Sequence, residues 1–207
     1  QNNAGDLDEI LDLVEREGIP RLCIYHLAYA GRGRQLLPMD LDDEQRRKVI
    51  GRVFEYTLDT HRRGKEVEVL TVDNHTDGAF LVMWAEKHAP DRVSEMLRLL
   101  ARNGGNSAGK GIGCIDERGI VHPDQFWRWR SVGNVRDRPF STIWTDDGVS
   151  LLRELRDRHS LLPEMCTTCR FLPHCNGNLR ARADAATGDP WGEDPACYLT
   201  SEERLGA

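Results

Sequence analysis

The segment MCTTCRFLPHC, residues 165–175, decides the fold of this chain, because it gathers three cysteines ahead of a fourth, distant one. The pattern is C-x2-C-x5-C-x21-C, formed by Cys166, Cys169, Cys175 and Cys197. Thiolates are soft ligands, and four of them can fill a tetrahedral zinc site or hold the corners of an iron–sulfur cluster. The pattern therefore predicts a soft-metal site in the last third of the chain.

The spacing of the four cysteines favours one kind of site over the others. Structural zinc usually takes two short knuckles, each a C-x2-C or an equivalent pair. Here one loop supplies three ligands and a distant return supplies the fourth, which suits a cubane, because its corners lie further apart than the ligands of a single ion. We therefore favour a [4Fe-4S] cluster over structural zinc, with disulfides as the third alternative.

The bulk composition limits the class of protein. The 207 residues suffice for one domain or two small ones, and the net charge of −6 argues against a general nucleic-acid or membrane-surface binder. No apolar run approaches the roughly 20 residues that span a bilayer, and no secretory segment is recognisable. Six cysteines in such a chain indicate a reducing compartment. We expect a cytoplasmic protein with no nucleic-acid or membrane partner.

The first half alternates helical and strand patterns. Nearly continuous apolar runs at residues 21–30 and 66–74 predict strands of a buried parallel sheet. Helical stripes at residues 6–17, 42–63 and 77–102 surround them, with Asn3 or Asp6 expected to cap the first helix. The alternation implies βαβ units, and thus an α/β fold.

The second half has a different character. The glycine-rich stretch NGGNSAGKGIG, residues 103–113, predicts a linker or a ligand-facing loop. Residues 111–126 predict a β-hairpin, and helices are expected at 148–158 and 178–186. We place the domain boundary near residue 105, giving domains 1–104 and 105–207.

Candidate binding residues lie where the predicted strands end, since ligands gather at the carboxyl edge of parallel sheets. The first edge offers His26, Tyr29, Arg32 and Arg34 as substrate- or cofactor-binding residues. Arginine forks bind carboxylates in bidentate fashion. A solvated turn with surface arginines is the alternative interpretation.

The second strand edge offers Asp73 and His75 as candidate catalytic residues, an acid/base or substrate-contacting pair. Part of this segment must also begin a helix, with Thr76 or Asp77 as the expected N-cap.

Several other residues keep open interpretations. Cys23 fits a buried packing role, whereas Cys114 could pack, act as a fifth ligand or be a reactive thiol. His174 is expected to donate a hydrogen bond to a metal-bound sulfur. A further polar group could face a ligand or only end a strand: His122, Asp124 and Gln125.

The cysteine spacing, the hairpin and the phrase SVGNVRDRPFSTIW, residues 131–144, together resemble the SPASM/twitch extension of radical S-adenosylmethionine enzymes. Gly133, Asn134 and Trp144 match that family's G-N…W stretch. The resemblance covers residues 105–200 and implies that the four cysteines hold an auxiliary [4Fe-4S] cluster. It also implies that the first half is the C-terminal part of the partial (β/α) barrel that binds S-adenosylmethionine.

Within the family, the segments LAYAGRG (27–33), LTVDNHTDG (70–78) and DPWGEDPACYLT (189–200) are similar to the haem-biosynthesis branch, which includes proteins of d1-type haem synthesis and of the sirohaem-dependent haem pathway. This implies radical alteration of acetate or propionate side chains on a sirohaem-derived iron tetrapyrrole, with an electron donor such as ferredoxin or flavodoxin. Arg32 and Arg34 would then bind the carboxylates of this substrate.

Two departures from the family pattern qualify this picture. Leu179 and Asp124 stand where cysteines of another cluster are usual, so we expect a single auxiliary cluster. The catalytic C-x3-C-x2-C is absent from the sequence, so we expect this chain to be the C-terminal part of a longer enzyme and inactive alone. S-adenosylmethionine and a second [4Fe-4S] cluster are then expected upstream of Gln1.

Full ligation by four cysteines favours electron transfer over substrate binding at the auxiliary cluster. Two other functions stay open. One is a SPASM enzyme that modifies peptides or proteins, and the other is a non-catalytic interaction domain built on structural zinc.

Overall fold

The computed structural model describes residues 3–206 and divides them between two small sheets and the helices around them. The elements of the first half are, in chain order, α1 (Leu7–Arg16), β1 (Arg21–Tyr25), α2 (Asp43–Arg62), β2 (Glu68–Val72), α3 (Thr76–His88) and α4 (Val93–Asn103). Those of the second half are β3 (Cys114–Ile115), β4 (Ile120–His122), β5 (Gly133–Asn134), α5 (Phe140–Trp144), α6 (Ser150–Arg156), α7 (Glu164–Thr167), α8 (Leu172–Cys175), α9 (Arg180–Thr187) and α10 (Ser201–Leu205).

The first sheet is parallel, as the sequence predicts. β1 and β2 pair with Cys23 opposite Leu70, and α2 provides the crossover between them. A capping box between Asp42 and Gln45 starts α2, because each side chain accepts from the other residue's backbone N–H. Apolar residues of α1 and α2 pack against the strands, and the fully buried ones include Leu11 and Val53. The α/β fold class is confirmed.

The first strand is shorter than predicted. β1 ends at Tyr25 rather than continuing to residue 30, and a 3-10 helix spans Gly31–Met39. Tyr29 interrupts the extended chain because its backbone adopts a left-handed φ of 58°. The strand end therefore turns away from the sheet before the two arginines of this segment.

Two helix starts also differ from prediction. Asp6 occupies the N-cap position of α1, but its side chain makes no capping hydrogen bond. The N-cap of α3 is His75 rather than Thr76 or Asp77. Asn74 supplies the capping acceptor instead, since its Oδ1 accepts from the Thr76 N–H at 3.3 Å.

The hairpin of the second half is confirmed and extended. β3, β4 and β5 form an antiparallel sheet in that order, so the two-stranded prediction gains a third strand. The predicted helices at 148–158 and 178–186 are present with later starts, at Ser150 and Arg180.

The glycine-rich segment is a packed loop and not a free linker. The Asn106 N–H donates to the Cys175 carbonyl at 3.1 Å. The buried Arg158 guanidinium donates to Asn106 Oδ1 at 2.7 Å and to the Ala108 carbonyl at 2.8 Å. The loop is therefore fastened to the cysteine segment.

A buried arginine, Arg182, connects the two halves of the chain. Arg182 and Asp194 have almost no exposed side-chain surface and meet at 2.7 Å. Arg182 Nη1 also donates to the carbonyls of Leu27 and Asp73, at 3.1 and 2.9 Å. One guanidinium thus ties the residues that follow both parallel strands to the segment that carries Cys197.

Within residues 3–206, no helix is both long enough and apolar enough to cross a membrane.

Candidate metal centre and neighbouring cavity

The four cysteines of the C-x2-C-x5-C-x21-C pattern line a common cavity. Cys166 lies in α7 and Cys175 ends α8, while Cys169 occupies the turn between these helices. Cys197 reaches the cavity from the return after the Asp194 segment. Each is a free thiol with an intermediate degree of burial.

Short backbone turns place each thiol. The Cys166 N–H donates to the Pro163 carbonyl at 2.8 Å, and the Cys169 N–H donates to the Cys166 carbonyl at 3.1 Å. The Cys197 N–H donates to the Asp194 carbonyl at 2.9 Å. Three of the four cysteine positions are therefore fixed by local hydrogen bonds, before any ligand is considered.

The surroundings of these thiols resist ionisation. Burial raises the pKa of Cys166 to about 11 and that of Cys175 to about 12, and it raises the pKa of Cys169 as well. Negative charge on neighbouring cysteines acts in the same direction. Four thiolates so close together need a cationic centre to balance them.

Two arginines of the cavity wall carry buried N–H groups without partners. Arg180 has no exposed surface, and its Nη1 donates to the carbonyls of Pro190 and Gly192 at 3.2 and 2.8 Å. Its Nε and Nη2 have no hydrogen-bond acceptor, and neither does Nε of Arg204. Both arginines line the cysteine cavity. A buried guanidinium without an acceptor is costly, so this wall is built for an anion.

An anionic iron–sulfur cluster fits this donor set. The space left between the side chains is small, about 20 Å³, so the fit depends on the four thiols and the unpartnered guanidinium groups rather than on volume. Among residues 3–206, no group of three or more His, Cys, Asp and Glu side chains is arranged to hold a single metal ion.

A larger cavity, of about 480 Å³, lies at the carboxyl end of β2. That volume falls in the range of small-molecule sites. Residues after β2, the glycine-rich loop and residues 124–126 supply most of its wall. Its polar residues include Asp73, Asn74, His75, Asp77, Asn106, Ser107, Asp124, Gln125 and His174.

This cavity brings together Asp73 and His75, which were predicted as catalytic, and adds Asp124. Burial lowers the pKa of His75 to about 4, so its imidazole is neutral at pH 7. Burial raises the pKa of Asp124 to about 6, and the charge of Asp73 adds to that shift. Oδ2 of Asp124 is buried without a hydrogen-bond partner. The cavity therefore offers a neutral base and a carboxyl group that titrates near neutrality.

The two cavities share a wall. Neighbouring residues in the chain face opposite sides of it, in the pairs His75 and Thr76, His174 and Cys175, and Leu179 and Asn178. Asn178 braces this wall, since its Nδ2 donates to Asn74 Oδ1 at 2.6 Å and its Oδ1 accepts from the His75 N–H at 2.8 Å. A ligand in the larger cavity would lie one layer of residues from the cysteines.

The residues predicted at the first strand edge lie elsewhere. His26 Nε2 lies 2.8 Å from Asp77 Oδ2 in a largely buried pair, and the Tyr29 hydroxyl donates to Asp40 at 2.8 Å. Arg32 and Arg34 are exposed on the 3-10 helix. None of these four residues lines the 480 Å³ cavity.

The structure shows where the residues with several possible roles lie relative to the two cavities. Cys114 pairs with His122 on the hairpin and lines neither cavity. His122 is buried, with Nδ1 at 2.7 Å from the Arg130 carbonyl. His174 lines the larger cavity rather than that of the cysteines. Sequence reasoning missed Arg180 and Arg204, because nothing in an arginine's local sequence signals its burial.

The fold defines the class of protein. The chain has the fold of the C-terminal part of a radical S-adenosylmethionine enzyme of SPASM type. It superposes on the solved structure of anSMEcpe with bound AdoMet and the Cp18Cys peptide with a TM-score of 0.58, at 15% identity, covering 99% of this chain and 52% of that one. A second structure, anSMEcpe with bound AdoMet, gives a TM-score of 0.59 at 14% identity over 99% of this chain and 49% of that one.

The sequence relatives narrow the class. The chain is 49% identical to Fe-coproporphyrin III synthase of Methanosarcina barkeri over 206 residues, which is 98% of this chain and 52% of that protein. It is 38% identical to pre-heme d1 synthase of Dinoroseobacter shibae over 98% of this chain and 50% of that protein. A 65-residue match, covering 31% of this chain and 18% of the relative, reaches 43% identity with AdoMet-dependent heme synthase of Methanosarcina barkeri.

The recognition made from the sequence is therefore confirmed, since the chain is a relative of radical S-adenosylmethionine enzymes of haem biosynthesis. Almost the whole of this chain aligns with two of the curated relatives, and it spans about half the length of each. No family model matches the chain.

Proposed function

We propose that this chain is part of a radical S-adenosylmethionine enzyme that alters acetate or propionate side chains of a sirohaem-derived iron tetrapyrrole, and that its four cysteines hold one auxiliary [4Fe-4S] cluster. The observation that carries the proposal is the cysteine cavity, which has four thiols and unpartnered buried guanidinium N–H groups in its wall. The relatives named for iron coproporphyrin and pre-heme d1 supply the substrate class.

When bound, the cluster supplies a one-electron acceptor close to the substrate, since protein [4Fe-4S] potentials span a wide range set by their surroundings. The thiols of Cys166, Cys169, Cys175 and Cys197 would hold all four irons of such a cluster, which would favour electron transfer over binding of substrate to iron. An external donor such as ferredoxin or flavodoxin belongs to this proposal, as does a cytoplasmic location.

The 480 Å³ cavity is the proposed substrate region. Its imidazole at His75 stays neutral at pH 7 and can hydrogen-bond a substrate group, and the carboxyl group of Asp124 can hold or release a proton near pH 6. Asp73 stays a candidate beside them. Arg32 and Arg34, exposed beyond the end of β1, stay candidates for binding substrate carboxylates, and an exposed pair of this kind contributes at most about 1 kcal/mol.

The chemistry that cleaves S-adenosylmethionine is not assigned to residues of this chain, because the sequence holds no C-x3-C-x2-C. We assign S-adenosylmethionine and a second [4Fe-4S] cluster to the part of the relatives' length that this chain does not match.

The proposal is tested on the full-length protein, purified without oxygen. We expect a brown protein with iron and acid-labile sulfide attributable to the cysteine quartet, lost in the Cys166→Ser variant and kept in Cys114→Ser. A colourless wild type that carries zinc at the quartet would refute the cluster and support an interaction domain.

Substrate class and electron transfer need separate measurements. Adding an iron tetrapyrrole should shift its Soret band, and a peptide-modifying enzyme should leave that band unchanged. The Cys197→Ser variant should lose product formation while it still cleaves S-adenosylmethionine. Full product formation by this variant would rule out electron transfer through the auxiliary cluster.

A further inference from the structure

The feature that the proposed function leaves unexplained is the buried charge of Arg180. Every other fully buried arginine of the described residues has a carboxylate or several acceptors. Arg182 pairs with Asp194 through two hydrogen bonds of 2.7 and 3.0 Å, and all of Arg158's three nitrogen atoms have acceptors. Arg180 has only two backbone carbonyls, both bound to its Nη1.

No carboxylate near Arg180 is free to neutralise it. Asp194 acts on it electrostatically, but both of its oxygens are already occupied. Oδ1 accepts from Arg182 and from the Ala196 N–H at 2.9 Å, and Oδ2 accepts from Arg182 and from the Leu179 N–H at 2.9 Å. Besides Asp194, the groups that would act on Arg180 with the opposite charge are Cys166 and Cys175 in their thiolate forms.

Arg204 also lines the cavity with an unpartnered buried N–H group. Its Nε is buried without an acceptor, and its Nη2 lies 4.0 Å from Cys197 Sγ. The two arginines come from different elements, α9 and α10, yet both line the cysteine cavity. Their common feature is N–H groups that meet no oxygen acceptor.

We propose that Arg180, assisted by Arg204, is the charge partner of the auxiliary cluster, donating N–H groups to its sulfur atoms and holding its reduction potential high. The inference rests on the proposed cluster. Four thiolates and an oxidised [4Fe-4S] core carry a net charge of about −2, and reduction adds one more negative charge. A fixed buried cation stabilises the reduced state more than the oxidised state, because the Coulomb energy grows with the charge.

Arg180 is thus a positioning residue that acts through the cluster. An auxiliary centre that must accept an electron benefits from a potential raised in this way. The neutral Arg180→Met variant keeps most of the side-chain volume and removes both the charge and the N–H donors. The Arg180→Lys variant keeps the charge and loses the planar fork.

The test is a redox titration of the full-length protein followed by electron paramagnetic resonance, with iron and sulfide counted beforehand. At a fixed potential we expect Arg180→Met to shift the ratio of reduced to oxidised auxiliary cluster at least tenfold toward the oxidised form, about 59 mV for one electron. Arg180→Lys should recover part of the shift, and Arg204→Met should move the ratio in the same direction by less.

The matched control is Arg46→Met, because Arg46 is buried but already paired with Asp40 at 2.8 Å. This variant should leave the potential unchanged. If Arg180→Met folds but loses its iron while Arg46→Met keeps it, the charge-partner role is supported. If Arg180→Met does not fold, the reduction potentials of Arg180→Lys and Arg204→Met test the charge-partner role instead.

Different results would rule out the cluster and the charge-partner role of Arg180. A wild type without iron and sulfide at the quartet removes the cluster and the inference together. A wild type with its cluster, and arginine variants whose potentials equal that of the wild type, would overturn the inference alone.

Discussion

At the scale of single residues, burial separates the groups that can change charge from those that only pack. Asp124 is 4% exposed, and its Oδ1 accepts from the Phe126 N–H at 2.7 Å. Its Oδ2 is buried and has no hydrogen-bond donor among the described residues. The protein therefore holds a carboxylate whose ionisation works against folding.

This gives a pH prediction for Asp124. Its pKa is about 6 in the folded chain against an ordinary 3.8, so between pH 4 and 6 the folded state binds more protons than the unfolded state. The free energy of unfolding must then fall as the pH rises through that window. The free energy of unfolding of the Asp124→Asn variant should exceed that of the wild type by about 3 kcal/mol at pH 7, and this advantage should disappear near pH 4.

Urea unfolding at pH 4, 5, 6 and 7 measures this difference. The Asp147→Asn variant is the control, because the Asp147 side chain is 87% exposed and should show no such trend. An advantage of Asp124→Asn that is the same at every pH would show that the buried charge is not its source.

At the scale of elements, the glycine-rich loop depends on one close approach. Gly105 has a φ of +67°, and a Cβ built on it would overlap the backbone of Cys175 and lie 2.7 Å from the His174 carbonyl oxygen. Gly104 has a similar φ of +72°, but its Cβ would have no neighbour within 4 Å. Alanine substitutions at Gly104 and Gly105 therefore distinguish the cost of backbone strain, which both share, from the cost of steric overlap, which only Gly105 has.

We expect Gly105→Ala to cost at least about 2 kcal/mol of stability and to lower the iron content, since the loop must move away from Cys175. Gly104→Ala should cost about 1 kcal/mol and leave the iron unchanged. Thermal unfolding and iron analysis of the two variants provide the comparison. Equal losses would mean that the left-handed backbone alone sets the cost.

The buried pair of Arg182 and Asp194 governs how α9 and the Cys197 segment are held. Replacing Arg182 with Met leaves an unpaired carboxylate and strips donors from the Leu27 and Asp73 carbonyls, so we expect a loss of about 3–5 kcal/mol. Arg16→Met should change stability by less than about 1 kcal/mol, because Arg16 pairs with Glu17 on the exposed surface.

A double-mutant cycle with Asp194→Asn measures the coupling between the two side chains. Since each single variant leaves one charge buried alone, the double variant should cost less than the sum of the singles. Additive losses would show that Arg182 acts mainly through the two backbone carbonyls.

At the scale of the whole molecule, the sequence predicts local elements but not which residues are buried by contacts with distant parts of the chain. Hydrophobic periodicity predicted α2 and the parallel strands, and the cysteine spacing predicted a shared site. Residues that are distant in sequence decide the rest. Tyr29, beyond the end of β1 at Tyr25, turns the chain through a left-handed backbone angle, and no local pattern announces that Arg182 joins two strand ends to Asp194.

The candidate site divides in the same way. The meeting of Asp73 and His75 in one cavity follows from the rule that ligands gather where parallel strands end. The addition of Asp124 and the shared wall with the cysteines depend on how residues of the second half pack onto the first half, which only the three-dimensional structure provides.

The proposed cluster should raise the thermal stability of the full-length protein. A ligand that binds only the folded state stabilises it, and its removal leaves the Arg180 charge buried without a partner. Stripping the cluster with a chelator and a mild oxidant should lower Tm by at least about 5 °C, which corresponds to about 2 kcal/mol in a chain of this size. Reconstitution with iron and sulfide should restore it.

Two cysteine variants make this prediction specific. Cys166→Ser should resemble the stripped protein before any treatment, because it removes a thiol from the cavity. Cys114→Ser should respond to stripping as the wild type does, because Cys114 lines neither cavity. A wild type whose Tm is unchanged by stripping would mean that packing alone holds the cysteine segment, and that the proposed cluster contributes nothing to the stability of the fold.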